Sequence, residues 1–505
     1  MKWEKRTSAL TPTLSSGRGG EIRVLALCDS PATRPDLAPT GFARVAKNLF
    51  TEWTAGTLPH GISGEGEKEP ARRSLAPPSK IQIDIWGLGF EGWGYDAVPW
   101  RIFPGGGADW NTPRKLTQFL NQLATGWCEP HLPSCEPHGQ LQPYTHVWMI
   151  MDADALIVGE GEKSFASRFW QCCARRGIRS MLYFPVDARS FRPEWTEIVR
   201  AVDCAVTYTE TGRETVLAAA EPRPGTAPPG FSRPLKIHVL PHGLEEHFAP
   251  VRNMERQAIR EEITVPTGAV QNWKEVTRPF AGPEDFLMLN VNKNEWRKDP
   301  LRTLEILAGL RAAGVPAKLI LRMDPFSTMG GINLKLAADQ LGLADGMDWV
   351  MLGAVAEADL PKLYNAADLY LTTTLGEGWG LGITEALGCG TAVAMPRHTS
   401  CGEIGNKIMG HLTPNPSPQS GEGERAGPNI VWLEAENGFV CGGDMRLRQR
   451  VDLPGAVKRI KDFYESRKWK ERPALSTEIR EWLSWKRIAA EMFSLLTQPP
   501  GDEFF

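Results

Sequence analysis
Two carboxylates stand eight positions apart in TTTLGEGWGLGITEALGCGTAVA, residues 372–394: Glu377 within a run of glycines at 376, 378, 380 and 382, and Glu385 farther along. DLYLTTT ahead of them is strand-like and LGITEALG is helix-like. LGEGWG therefore reads as a βα turn at the carboxyl end of a strand, where open α/β sheets bind ligands. Glycines there let a ligand approach the backbone, and the N–H groups of the helix start, around Trp379 to Gly382, suit phosphate oxygens. A carboxylate is repelled by phosphate but accepts hydrogen bonds from sugar hydroxyls. The competing reading is a plain tight turn with Glu385 on a solvated helix face.

Other residues carry chemistry in weaker patterns. MDADAL holds Asp152 and Asp154, spaced like a metal-binding D-x-D, with an acceptor-facing carboxylate or a helix cap as alternatives. Asp187 in YFPVDARSFRP stands near a strand end, and His242 in VLPHGL is either a ligand contact or a satisfied turn histidine. The duplicated CEPH supplies Cys128, His131, Cys135 and His138, residue types that suit zinc. Four ligands within eleven residues, with a proline in each repeat, weigh against a metal.

The elements that must position these residues follow a βα rhythm. EIRVLALC, IQIDIWGLG, HVWMIMD, IRSMLYFP, CAVTYT and KIHVLPHG alternate with amphipathic stretches in the first half. FLMLNVNK, AKLILRM, DWVMLG, DLYLTTT and TAVAMP do so in the second, predicting parallel strands joined by crossover helices. With 505 residues and 42% hydrophobic content the chain divides into more than one domain. The expected division is an N-terminal extension at 1–20, a first unit at 21–245, a second at 284–475 and a last helix at 476–497. Stretches rich in Pro, Gly, Ser and charge predict flexible insertions near 56–80 and 411–429, with another irregular stretch near 128–141.

A net charge of -3 attracts neither nucleic acid nor anionic membrane globally. Nine scattered cysteines and no apolar leader point to reduced thiols in a cytoplasm. No apolar run approaches the roughly 20 residues of a membrane span, so membrane contact would be peripheral.

The run from LPKLYNAADLYLTTTLGEGWGLGITEALGCGTAVA through GEIG and ENGFV resembles the signature of the family-four glycosyltransferases, retaining enzymes of the GT-B fold. Their mark is a pair of glutamates with seven residues between, matched by Glu377 and Glu385. VLPHGLEEHFAPV is similar to the segment that ends the family's first domain, and NVNKNEWRKDP to its basic donor motif. LSWKRIAAEMFSLL is similar to the helix that crosses back to the first domain.

The resemblance implies an α/β chain of two Rossmann-like domains facing a cleft. It implies a nucleotide-sugar donor on the second domain and an acceptor on the first. The diphosphate would be held by Lys293 and Lys298, with Arg297 a competing candidate, and by the backbone of Gly378, Trp379, Gly380, Leu381 and Gly382. Glu377 would bind sugar hydroxyls, Glu385 the ribose, and Gly41 would approach donor or acceptor. No cofactor or divalent metal is expected, because fixed cations can stabilise the leaving diphosphate. The acceptor stays open between glycan, lipid, small molecule and nucleic acid. The alternatives are a catalytically silent nucleotide-sugar-binding scaffold and a glycosyltransferase acting on modified DNA.

Overall fold
The computed structural model describes residues 22–32, 40–55, 81–90, 98–107, 109–126, 143–221, 235–271, 274–323, 331–353, 355–410, 430–436, 438–440 and 445–498. The extension at 1–20, the insertions near 56–80, 128–141 and 411–429, and Cys128, His131, Cys135 and His138 lie outside the described residues.

Seven parallel strands build the first domain: β1 (Ile22–Asp29), β2 (Ile81–Leu88), β3 (Arg101–Pro104), β4 (His146–Ile150), β5 (Arg179–Phe184), β6 (Cys204–Thr207) and β7 (Ile237–Val239). Their order across the sheet is β3-β2-β1-β4-β5-β6-β7. Both faces are covered by helices, so the strands are near-continuous apolar runs, as in IRVLALCD, rather than alternating ones.

The stretch between the domains is structured: a helix, Asn253–Glu262, is followed by an antiparallel hairpin of β8 (Thr264–Gln271) and β9 (Lys274–Pro279). Six more parallel strands then form the second sheet: β10 (Phe286–Val291), β11 (Ala317–Arg322), β12 (Trp349–Leu352), β13 (Leu369–Leu371), β14 (Ala392–Pro396) and β15 (Ile430–Leu433). They are ordered β12-β11-β10-β13-β14-β15.

Each sheet reverses its winding once, between β1 and β4 in the first and between β10 and β13 in the second. At such a reversal the crossover helices leave to opposite faces, and a crevice opens beyond the carboxyl ends of the two central strands. The segments that follow β4 and β13 carry Asp152 and Glu377 to these two crevices.

The chain ends in two helices, Thr477–Trp482 and Trp485–Thr497, that return to the first domain. Ile488, Met492 and Leu496 recur every four residues on one buried face. The Trp53 Nε1–H, on the helix Gly41–Thr54, donates to the carbonyl of Ala489 at 2.8 Å. One apolar core thus runs from Val45 and Phe50 through Phe248 and Tyr364 to Met492, joining the domains, while two smaller cores back the outer sheet faces. At Gly243, where the first domain ends, a Cβ would lie 2.6 Å from Cγ of Trp485, so only glycine lets that indole rest on the backbone.

Candidate active site
β10 and β13 are adjacent, so the segments after them meet. The Leu375 N–H donates to the carbonyl of Arg297 at 2.8 Å, and Arg297 Nη1 donates to the carbonyl of Gly376 at 2.8 Å. This pairing brings the basic segment onto the glycine turn. Lys298 Nζ lies 2.5 Å from Glu377 Oε1, and Arg297 Nη1 lies 3.5 Å from its Oε2. Burial pushes the Glu377 carboxyl up, but Lys298 and Arg297 outweigh it and hold the group below its usual range. Burial keeps the Lys298 ammonium below its usual value despite Glu377.

The Glu377 N–H donates to Thr399 Oγ1 at 3.2 Å. Thr399 has φ 49°, a left-handed conformation that a β-branched residue adopts only when its surroundings impose it. Lys293 points outward, its side chain 61% exposed and 3.9 Å from Glu295; its charge acts across the cleft on Asp29 at the end of β1. Of the expected donor cations, then, Lys298 and Arg297 are on the turn and Lys293 is at the rim.

The glycines have a use that spacing does not reveal. A side chain at 376 would strike the carbonyl oxygen of Asp187, and a Cβ at 378 would lie 2.5 Å from Pro185. At 382 it would strike the Tyr370 hydroxyl. Gly380, with φ 96°, caps the helix Leu381–Gly388. The immediate reason for glycine at 376 and 378 is thus close approach of the first domain. Gly41 opens the helix Gly41–Thr54 opposite this turn, where a Cβ would sit 3.6 Å from Leu381 Cδ1. Trp379 is buried at the domain junction, with ring centroids 5.8 Å from both His242 and Trp482.

Glu385 lies in the same helix, buried, with both oxygens engaged. Arg44 Nη1 donates to Oε1 and the Tyr364 hydroxyl to Oε2, each at 2.6 Å. Arg44 belongs to the first domain and also donates to Glu245 at 3.0 Å and Glu357 at 3.1 Å. The expectation of a carboxylate awaiting a ribose thus meets one already bonded across the cleft; a carboxylate oxygen has two acceptor directions, so a hydroxyl could still be added.

On the first domain, Asp187 is buried among three guanidinium groups: Arg446 at 2.5 Å, Arg297 at 3.1 Å and Arg448 at 3.3 Å. Burial would raise its pKa, yet these charges hold the carboxyl well below the usual range. Arg446 also donates to Asp154 Oδ2 at 2.7 Å. Asp152 makes no side-chain hydrogen bond among the described residues. Burial, with Asp187 and Asp154 nearby, pushes it up to about 7. Among the described residues no three His, Cys, Asp or Glu side chains converge as a metal site. His242 is the satisfied turn residue: its Nδ1 lies 2.8 Å from the Tyr183 hydroxyl, and burial pushes it down to about 3.

The structure therefore gathers Arg297, Lys298, Glu377, Asp187, Asp152 and Asp154 at the cleft and leaves His242 in an aromatic layer beside it. Sequence reasoning missed Arg44, Tyr364, Thr399, Arg446 and Arg448. Arg44 lies three residues after Gly41 and the last two lie just beyond ENGFV, but a lone arginine carries no spacing signal.

Comparison with known proteins bears on this geometry. Residues 273–420 match the model of the family "Glycosyl transferases group 1". The chain is 27% identical over 168 residues to the mannosylfructose-phosphate synthase of Agrobacterium fabrum, covering 32% of this chain and 33% of that protein. It is 25% identical over 224 residues to the D-inositol 3-phosphate glycosyltransferase of Segniliparus rotundus, 44% of this chain and 43% of that one. It thus spans a third to under half the length of these relatives. The structure of Anabaena HepE in complex with UDP and glucose superposes with a TM-score of 0.55 at 12% identity, covering 94% of this chain and 99% of that one. The fold is GT-B. In a GT-B chain the two sheets' crevices face each other, which is how Asp187 and Arg44 come to touch elements of the second domain.

Proposed function
We propose that the chain is a glycosyltransferase that moves a sugar from a nucleoside diphosphate sugar to an acceptor hydroxyl, with retention of the donor's anomeric configuration. The observation that carries this reading is the buried Arg297–Lys298–Glu377 cluster at the second sheet's winding reversal, beside the start of the helix Leu381–Gly388. It supplies fixed positive charge where a departing diphosphate develops negative charge. Glu377, oriented by Lys298, presents its carboxylate to sugar hydroxyls, and Glu385 takes the ribose within its Arg44 and Tyr364 contacts. Both curated relatives are named for related chemistry, and HepE was solved with UDP, so UDP-sugars are the first donors to try.

Retention follows the family resemblance and the position of Glu377. It is tied to Lys298 on the diphosphate side, not on the opposite face where an inverting base stands. Arg297 and Lys298 provide charge that a D-x-D enzyme would draw from a cation, so turnover should need no divalent metal. Among the described residues, Cys28, Cys172, Cys173, Cys204, Cys389 and Cys401 are free thiols, in keeping with a cytoplasmic setting. No described helix is long and apolar enough to cross a membrane.

The test is thermal shift against a panel of nucleotide sugars, then diphosphate release and product NMR with and without EDTA. Binding and release unchanged by EDTA, with the configuration retained, is the expected result. No binding overturns the activity, an inverted product the mechanism, and reversible loss in EDTA the metal independence.

A further inference from the structure
Glu377 sits between two glycines, Gly376 and Gly378, and no residue has a freer backbone than glycine. Contacts from outside the turn must therefore fix the Glu377 peptide. β14 pairs with β13 and ends at Pro396, and the chain after it enters a helix, Thr399–Gly410. The first residues of that helix meet the glycine turn through two hydrogen bonds. The Glu377 N–H donates to Thr399 Oγ1 at 3.2 Å, and the Ser400 hydroxyl donates to the carbonyl of Trp379 at 2.7 Å. Thr399 and Ser400 are both buried, so water competes little for either bond.

Among the described residues four non-glycine residues have a positive φ, and Thr399, at 49°, is the one with a β-branched side chain. Glycine would adopt that conformation without strain, so what threonine adds there is its hydroxyl. His398 Nδ1 lies 3.4 Å from Thr399 Oγ1. Burial pushes this imidazole down to about 4, so near neutral pH it is uncharged and a ring nitrogen can accept the hydroxyl proton. That leaves the threonine oxygen free to accept from Glu377. One helical turn farther on, the Glu403 carboxylate accepts from the N–H groups of Glu210 and Thr211 in the first domain, each at 2.9 Å. The helix start is thus gripped by the glycine turn on one side and by the first domain on the other, and these contacts hold the strained φ in place.

We propose that Thr399 is a positioning residue for sugar transfer: its hydroxyl fixes the Glu377 peptide, and the strain at Thr399 is retained because that bond holds the Glu377 carboxylate in register with the donor sugar. The proposal rests on the glycosyltransferase reading above. Lys298 secures the tip of the Glu377 side chain and Thr399 secures its backbone, so the carboxylate is anchored at both ends. Anchored at the tip alone, between two glycines, it would be free to shift, and a misplacement of about 1 Å costs on the order of 100-fold in rate. The positive charge of Arg297 and Lys298 does not depend on Thr399. Loss of the hydroxyl should therefore spare nucleotide binding and depress turnover.

The test uses the full chain. Thr399→Val keeps the branched shape and the strain but removes the hydroxyl, whereas Thr399→Ser keeps the hydroxyl. In deuterium exchange of the unliganded protein, a peptide spanning 373–382 should exchange faster in Thr399→Val than in wild type or Thr399→Ser. In UDP release from UDP-glucose, or from another nucleoside diphosphate hexose that binds, Thr399→Val should lose about tenfold or more in kcat while UDP affinity by calorimetry is retained. Thr399→Ser should recover most of that rate. Thr399→Gly and Thr399→Ala, compared by thermal melting, read the strain: alanine ordinarily makes the more stable helix, but here the glycine variant should melt higher. If Thr399→Val does not fold, Thr399→Gly, which lacks both hydroxyl and strain, carries the exchange and kcat comparison. Unchanged exchange or turnover without the hydroxyl, a loss of UDP affinity as large as the loss of kcat, or a lower melting temperature for Thr399→Gly than for Thr399→Ala overturns the proposal and leaves the donor reading standing. Failure of the wild type to bind any nucleotide sugar overturns that reading, and the role of Thr399 in transfer with it.

Discussion
Glu377 and Glu385 share one sequence motif but stand in different surroundings, so their losses should differ. Glu377 is ion-paired to Lys298 at 2.5 Å on the turn itself, whereas Glu385 is bonded to Arg44 and Tyr364 deeper in the helix. Glu377→Gln keeps the size of the side chain but removes the charge that meets developing positive charge on the anomeric carbon, so kcat should fall more than donor affinity. Glu385→Gln should weaken UDP binding by about 1–3 kcal/mol if the ribose contact is made there. Titration calorimetry with UDP and steady-state kinetics on both variants check this; unchanged UDP affinity in Glu385→Gln would remove the ribose assignment. The motif and its basic companion were legible from residue types alone. Arg44 was not, because its partners Glu245, Glu357 and Glu385 are 201, 313 and 341 positions away.

At the scale of elements, the last helix is the one whose placement matters most. Its apolar face, with Met492 and Ile488 fully buried, is continuous with the core of the first domain although it follows the second in sequence. Met492→Ala should lower stability by about 2–5 kcal/mol through the cavity it leaves. An exposed neighbour, Lys486→Ala, should stay within about 0.5 kcal/mol of wild type. Urea unfolding of the two variants decides it, and equal midpoints would mean that the helix does not hold the domains together. The connector between the domains, residues 246–283, carries charge and proline. It holds a helix, Asn253–Glu262, and a hairpin, because Arg256 and Arg260 reach back to pair with buried Asp368.

For the whole molecule, the cleft carboxylates pull stability in opposite directions as pH changes. Glu377 and Asp187 have folded pKa values below their ordinary ones, so the stability they contribute is present above about pH 4 and is lost as the pH falls through the lower folded values. Asp152 runs the other way. Its folded value is raised to about 7, so its protonated form favours the folded state and that contribution fades as the pH rises from about 4 to 7. Melting temperatures of wild type and Asp152→Asn between pH 4 and 8 should therefore diverge, with the variant gaining on wild type as pH rises. Parallel curves would show that Asp152 titrates normally.

What the sequence by itself determined is local. The period of its apolar runs dictates parallel strands and crossover helices, and the glycines and charges at strand ends mark where a diphosphate could be held. These signals survive in sequence because strand, turn and helix start are neighbours in the chain. Only the tertiary structure decided which side chains share the cleft. Glycine at 376 answers to the carbonyl of Asp187, 189 positions earlier, and Glu385 to Arg44 on the first domain. Asp152 was one of several strand-end aspartates until folding surrounded Asp187 with three guanidinium groups and left Asp152 beside it without one. Electrostatic surroundings depend on distance in space, and only the packing of two domains sets that distance.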